Sequence, residues 1–238
     1  MDQDKKELLS LMEQFENSPE RALFIQLEAL RGSYRMFTGN YRELIDLLDI
    51  VENPVVAIPL KDAKRRAESL KVLEAITRLL HNFLASAKSL IDHTRTHMQS
   101  LYKGQCFLSE YETRVADQFA SSPVQRFVQD LRNYALHYAL PVTGSLFSWE
   151  STEGLNIAYY INAVELRKWD RWSPEGLQYL NAFQEILPIK QLASDYFSLV
   201  DAFYKWLDKR QQEINSEKLE CYRQMQKRIA SLTKKGET

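Results

Sequence analysis

No proline interrupts the chain from Leu60 to Ser122, and the apolar residues of that stretch keep a helical beat. Val72, Ile76, Leu79, Phe83, Ala87, Leu90, Thr94, Met98 and Leu101 are separated by gaps of three or four, a mean of about 3.6. A pattern held through so many turns fits neither a strand nor a loop. It predicts one long helix over about 61–102, ended by Lys103-Gly104-Gln105, and the fold has to be built around it.

The remainder of the chain agrees with a helical protein. Gly and Pro number only 7 each among 238 residues, so turns are scarce and elements long. Leu8, Leu9, Leu11, Met12 and Phe15 mark a short amphipathic helix. Pro19 suits the first turn of a second, which carries Leu23, Phe24, Leu27 and Leu30 and which Gly32 is expected to stop. Tyr41 to Val51 predicts a third, and Pro54 and Pro59 forbid a regular helix between them. Ser109 to Ala120 suits a short helix, and Ser122-Pro123 starts another that ends before Pro141. Residues 145–151 and 155–161 are rich in aromatic and β-branched side chains and flank Thr152-Glu153-Gly154, which predicts a β-hairpin at about 145–166. Ser173-Pro174 starts a further helix, and Pro188 is expected to begin a last long one over 188–232, followed by a frayed tail from Lys234 to Thr238. The expected architecture is an all-α bundle of long antiparallel helices with one small inserted β-hairpin. Residues 1–53 form an N-terminal helical portion and 60–232 the bundle.

Composition narrows the function classes. Hydrophobic residues make up 45% and charged residues 26%, enough for a packed core and unlike a disordered chain. Lys and Arg total 31 against 32 Asp and Glu, so a global basic field for nucleic acid is absent. Cys106 and Cys221 make neither a disulfide framework nor a CxxC metal pair, and read as thiols in a reducing compartment. The charged start, Met1 to Glu7, does not read as a signal peptide, and no stretch reaches the ~18 apolar residues of a membrane span. A cytoplasmic protein with no membrane contact is expected. There is no glycine-rich phosphate loop, no GxSxG and no kinase motif.

The chemistry-bearing group is Arg132-Asn133-Tyr134-Ala135-Leu136-His137, inside the helix that begins near Pro123. Asn133 and His137 are four apart and share a helix face, whereas Arg132 lies roughly 140 degrees around from His137. A titratable imidazole, a fixed cation and an amide are the parts an RNA-cleaving site needs: a proton carrier, a phosphate clamp and an orienting donor. On spacing alone, the same three residue types on a helix are more often a surface ion pair and a capped histidine.

The phrase Asp130 to Tyr138 resembles the motif helix of the HEPN family (higher eukaryotes and prokaryotes nucleotide-binding). That pattern is Arg, four to six residues, then His, with Asn, Asp or His often following the Arg. This chain reads Arg132, Asn133, three residues, His137, the commonest form, and has a long helix before it. The resemblance covers about 61–210, with the hairpin as an insertion. It implies a metal-independent endoribonuclease with no cofactor, in which the ribose 2′-OH attacks the adjacent phosphate. His137 would move a proton, Arg132 would offset charge on the phosphoryl oxygens, and Asn133 would orient the His or the phosphate. It also implies RNA as substrate and a homodimer in which two motifs line one cleft, its axis near Arg132 and His137. Phe127, Leu131, Tyr134 and Tyr138 are the candidate contacts. Many such relatives are toxins or phage-defence effectors, so an antitoxin or defence-system partner protein is expected. The competing expectation is a catalytically silent helical interaction or nucleotide-binding module.

Other groups are weaker signals. His93 and His97 are spaced to share a metal ion but lack a third ligand, and with Asp92 and Arg95 they read as a polar stripe that could face the Arg132 site. His81-Asn82 carries no assigned role. Lys64-Arg65-Arg66, and a surplus of basic residues after Asp201, could touch an RNA backbone or form solvated faces. Trp149, Tyr159, Tyr160, Trp169 and Trp172 could stack on bases or pack the hairpin.

Overall fold

The computed structural model describes residues 2–150 and 154–236. In chain order the helices and strands are α1 Asp2–Glu16, α2 Pro19–Val51, α3 Pro54–Ala57, α4 Arg66–Tyr102, α5 Cys106–Phe119, α6 Pro123–His137, β1 Thr143–Glu150, β2 Gly154–Asn162, α7 Ala163–Leu166, α8 Pro174–Asn181, β3 Ile186–Pro188, α9 Ile189–Ile214 and α10 Ser216–Gly236. The protein is mostly helical, with one small antiparallel sheet in the order β1-β2-β3. No helix among the described residues is long and apolar enough to cross a membrane.

Two compact units are present, Met1–Gly32 with Ala202–Thr238, and Ser33–Asp201. The Pro54–Pro59 break, read from sequence as the end of an N-terminal portion, lies inside the second unit. In the first unit α1 packs on α10. Phe15 and Phe24 stack on Tyr222 at 5.3 and 4.3 Å between ring centroids, and Arg31 pairs with Glu28 and Asp208, each at 2.7 Å. The core of the second unit includes Phe37, Leu44, Ile76, Phe83, Phe127, Leu131, Ile161, Leu192 and Tyr196, all fully or nearly fully buried.

Local signals set several helix ends. Ser122 Oγ accepts from Gln125 N, and Ser173 Oγ accepts from Gly176 N, each followed by proline at the first helical position. Gly104, with φ 78°, takes the left-handed conformation that follows α4.

Several expectations need correction. Gly32 does not stop a helix: α2 runs without a break from Pro19 to Val51. A glycine inside a helix costs about 1 kcal/mol, and the burial of Leu27, Leu30, Phe37, Leu44 and Leu48 along one stripe outweighs it. The helix expected from 61 starts at Arg66, after two short 3₁₀ turns, Pro59–Lys61 and Ala63–Arg65, the second capped by Asp62 Oδ1 accepting from Lys64 N at 2.9 Å. β1 and β2 pair with Phe147 opposite Ile157 and Ser145 opposite Tyr159. Thr152 and Glu153 of the expected turn lie outside the described residues. Residues 163–166, expected within the hairpin, form α7, whose cap is Asn162 Oδ1 accepting from Glu165 N. Pro188 begins no helix; it ends a third strand, with Leu187 opposite Ile161. The last helix is two helices parted at Asn215, whose Nδ2 donates to Gln211 O at 2.8 Å. Lys234 to Gly236 continue α10, while Glu237 and Thr238 lie outside the described residues.

The contact that fixes the motif helix is α6 against α8. Asp130 Oδ2 accepts from Ser173 N at 2.8 Å and from Ser173 Oγ at 2.6 Å, so a side chain of α6 completes the cap of α8. Gly176 leaves room for this: a Cβ there would lie 2.5 Å from Asp130 Oδ2 and 3.0 Å from Ser173 Oγ. Helix propensity would make Gly176→Ala stabilising by about 1 kcal/mol. The collision at the cap reverses that sign, and a loss of about 1–3 kcal/mol is expected. An unchanged or raised melting midpoint would refute this reading of the contact.

Candidate functional site

The motif sits on the second half of α6, between α8 on one side and α4 on the other. Phe127 and Tyr134 fix the α8 side. Phe127 is fully buried and stacks on Trp172 at 5.1 Å, and Tyr134 meets Trp169 edge-on at 5.6 Å. The opposite face turns to α4, and there a pocket of about 90 Å³ opens. Its buried floor is Leu84, Ala87, Val128 and Tyr196; its rim carries Lys88, Arg95, Gln129, Arg132 and Asn133.

The charged rim side chains are all cationic. Lys88 is paired with Asp92, one turn along α4. Arg95 and Arg132 form no ion pair among the described residues. Arg132 Nη1 donates to Asn133 Oδ1 at 3.2 Å, but Arg132 Nε is buried with no acceptor. An unsatisfied buried donor costs about 1–3 kcal/mol, so this site is under-satisfied as it stands. Burial pushes the Tyr196 hydroxyl's pKa up, which keeps the floor uncharged.

Arg132 and Asn133 are therefore brought together at one pocket, and His137 is not. His137 is exposed in the last turn of α6 and lies outside the pocket lining. Five residues separate it from Arg132, about 7.5 Å along the helix and about 140 degrees around it. Three of the four residues expected at a dimer contact, Phe127, Leu131 and Tyr134, are buried within the chain; only Tyr138 is exposed, at 62%.

His93 and His97 do not act as a pair. His93 Nδ1 is hydrogen-bonded to Ser33 Oγ at 2.8 Å on the surface, whereas His97 is buried beside Tyr102. Among the described residues no group of three or more His, Cys, Asp or Glu could hold a metal ion. Burial lowers the His97 pKa from 6.5 to about 4. The unfolded chain therefore takes up this proton near pH 6.5 and the folded chain only near pH 4. The stability contribution is whole above about pH 6.5 and is lost as pH falls toward 4, by about 3 kcal/mol. His97→Met should shrink the fall in melting midpoint between pH 7 and pH 4.5 relative to the wild type; an identical fall would refute it.

Several of the other candidate groups serve the fold. Arg65 pairs with Glu68 at 2.5 Å. Tyr159 and Trp169 are buried, and Trp172 Nε1 donates to Leu166 O at 2.8 Å; Trp149 is 77% exposed. Sequence reasoning passed over Lys88 and Gln129. The available signal was spacing: Lys88 and Arg95 are seven apart on one face of α4, and Gln129, Arg132 and Asn133 share a face of α6. No family model matches the chain, and neither a curated protein nor a solved structure matches it.

Proposed function

We propose that the chain is a HEPN-like endoribonuclease, a bundle of long antiparallel helices working without a metal ion on RNA in the cytoplasm. The supporting observation is that Arg132 and Asn133, the first two residues of the motif, line a pocket whose charged groups are all cationic. Arg132 and Asn133 hold an RNA phosphate there. The ribose 2′-OH attacks the adjacent phosphorus and the bond to the 5′ oxygen breaks, leaving a 2′,3′-cyclic phosphate and a 5′-OH. His137 moves the proton, since an imidazole can take a proton from one oxygen and deliver it to another. His137 stands away from the pocket of its own chain, so a second copy completes the cleft. Leu136, Tyr138 and Leu140, all exposed at the end of α6, are the apolar surface for that contact. An antitoxin or defence-system protein would restrain such an activity.

The test is incubation of the purified protein with total RNA, with and without EDTA, followed by end-group analysis. Cleavage that persists in EDTA and leaves 5′-OH ends is expected, from a protein whose light-scattering mass is that of a dimer. No cleavage, or cleavage lost in EDTA, overturns the reading. The position of His137 outside the pocket favours a second reading, a silent helical interaction or nucleotide-binding module, which would bind without cleaving.

A further inference from the structure

We infer that the pocket between α4 and α6 binds a phosphate monoester, the group carried by a mononucleotide or by the phosphorylated end of an RNA strand. Charge makes a monoester the tighter ligand, and the internal diester of the ribonuclease reading a weaker one at the same rim. Lys88 is offset by Asp92 on its own helix, no carboxylate lines the pocket, and Arg95 and Arg132 have no ion pair among the described residues. Two positive charges remain. A phosphate monoester carries about −1.5 to −2 at pH 7, whereas each internal phosphate of a strand carries about −1.

The unsatisfied donor is an independent sign of a ligand. Arg132 Nε is buried and lacks an acceptor, while Nη1 already donates to Asn133. A phosphate oxygen at the rim would accept from Nε, and guanidinium groups match the phosphate oxygens with paired donors. The apolar floor of Leu84, Ala87 and Val128 excludes water beneath the rim and strengthens those charged contacts. A recess of about 90 Å³ takes the phosphate group and leaves the nucleoside at its mouth.

The inference goes beyond the ribonuclease reading, because binding at this rim needs neither His137 nor cleavage. The probes are one 2′-deoxy oligonucleotide in 5′-phosphorylated and 5′-hydroxyl forms, followed by fluorescence anisotropy with the full-length chain. The phosphorylated form should bind at least about tenfold more tightly, the equivalent of one charge-assisted hydrogen bond. Inorganic phosphate should erase the difference by competition. Arg95→Gln and Lys88→Gln, each checked by its melting midpoint, should reduce the preference. Competition by a 5′-mononucleotide as strong as that by the oligonucleotide assigns the site to mononucleotides; much stronger binding of the oligonucleotide assigns it to strand ends. Equal affinity for the two forms overturns the inference, as does a preference that survives both rim substitutions. A preference that stands while RNA is never cleaved overturns the ribonuclease reading alone.

Discussion

RNA cleavage is expected to fall by at least about 10²-fold in His137→Ala, while the melting midpoint moves by the equivalent of about 1 kcal/mol or less. The stability half of that result follows from placement. His137 is exposed in the last turn of α6, so its removal opens no cavity and costs at most a local interaction at the helix C-terminus. The activity half follows from chemistry, since removing the imidazole removes the proton carrier of the proposed reaction. Arg132→Ala separates the two effects further. It deletes the buried Nε that has no acceptor, so stability should hold or rise, while cleavage falls by about 10²–10³-fold if the guanidinium offsets charge at the phosphate. Equal cleavage by wild type and His137→Ala would remove His137 from the site. A large loss of stability in Arg132→Ala would show that the side chain is a structural tie.

The parts of the fold legible in the sequence are those written in local chemistry. The body of α4 was readable because its apolar beat runs unbroken by proline, and the starts of α6 and α8 because Ser122-Pro123 and Ser173-Pro174 cap within three residues. The sequence suggests two helices where α2 is one, because a glycine is a stop signal only locally. Phe37, seven residues from both Leu30 and Leu44 and fully buried, carries the stripe across the gap. β3 was hidden because three residues hold no period, and Ile186–Pro188 becomes a strand only by lying beside Tyr160 to Asn162. The site divides the same way. Arg132 and Asn133 stood out as a motif. Lys88 and Arg95 join them only because α4 crosses the far face of α6, and no spacing along one helix records which neighbour that face will meet.

The substitution expected to cost the most stability is Phe127→Ala, at about 3–5 kcal/mol, or a fall of about 10 °C in melting midpoint for a chain of this size. Phe127 is fully exposed to protein on every side: it has no solvent-accessible surface, stacks on Trp172 with planes 9° apart, and meets Tyr179 at 5.1 Å. Its backbone also lies under Gly176, whose hypothetical Cβ would come within 3.4 Å of the Phe127 Cα, so α8 cannot settle into the space an alanine would leave without disturbing the Asp130–Ser173 cap. Rigid surroundings keep the cavity open, which places the cost at the upper end for such substitutions. Phe127→Leu, which keeps most of the volume, should cost less than half as much. Because α8 is the support against which α6 presents Arg132 to α4, the alanine variant should also lose phosphate binding at temperatures where it is still folded. Binding undiminished in a folded but destabilised Phe127→Ala protein would show that the pocket is positioned by α4 and not by the α6–α8 contact.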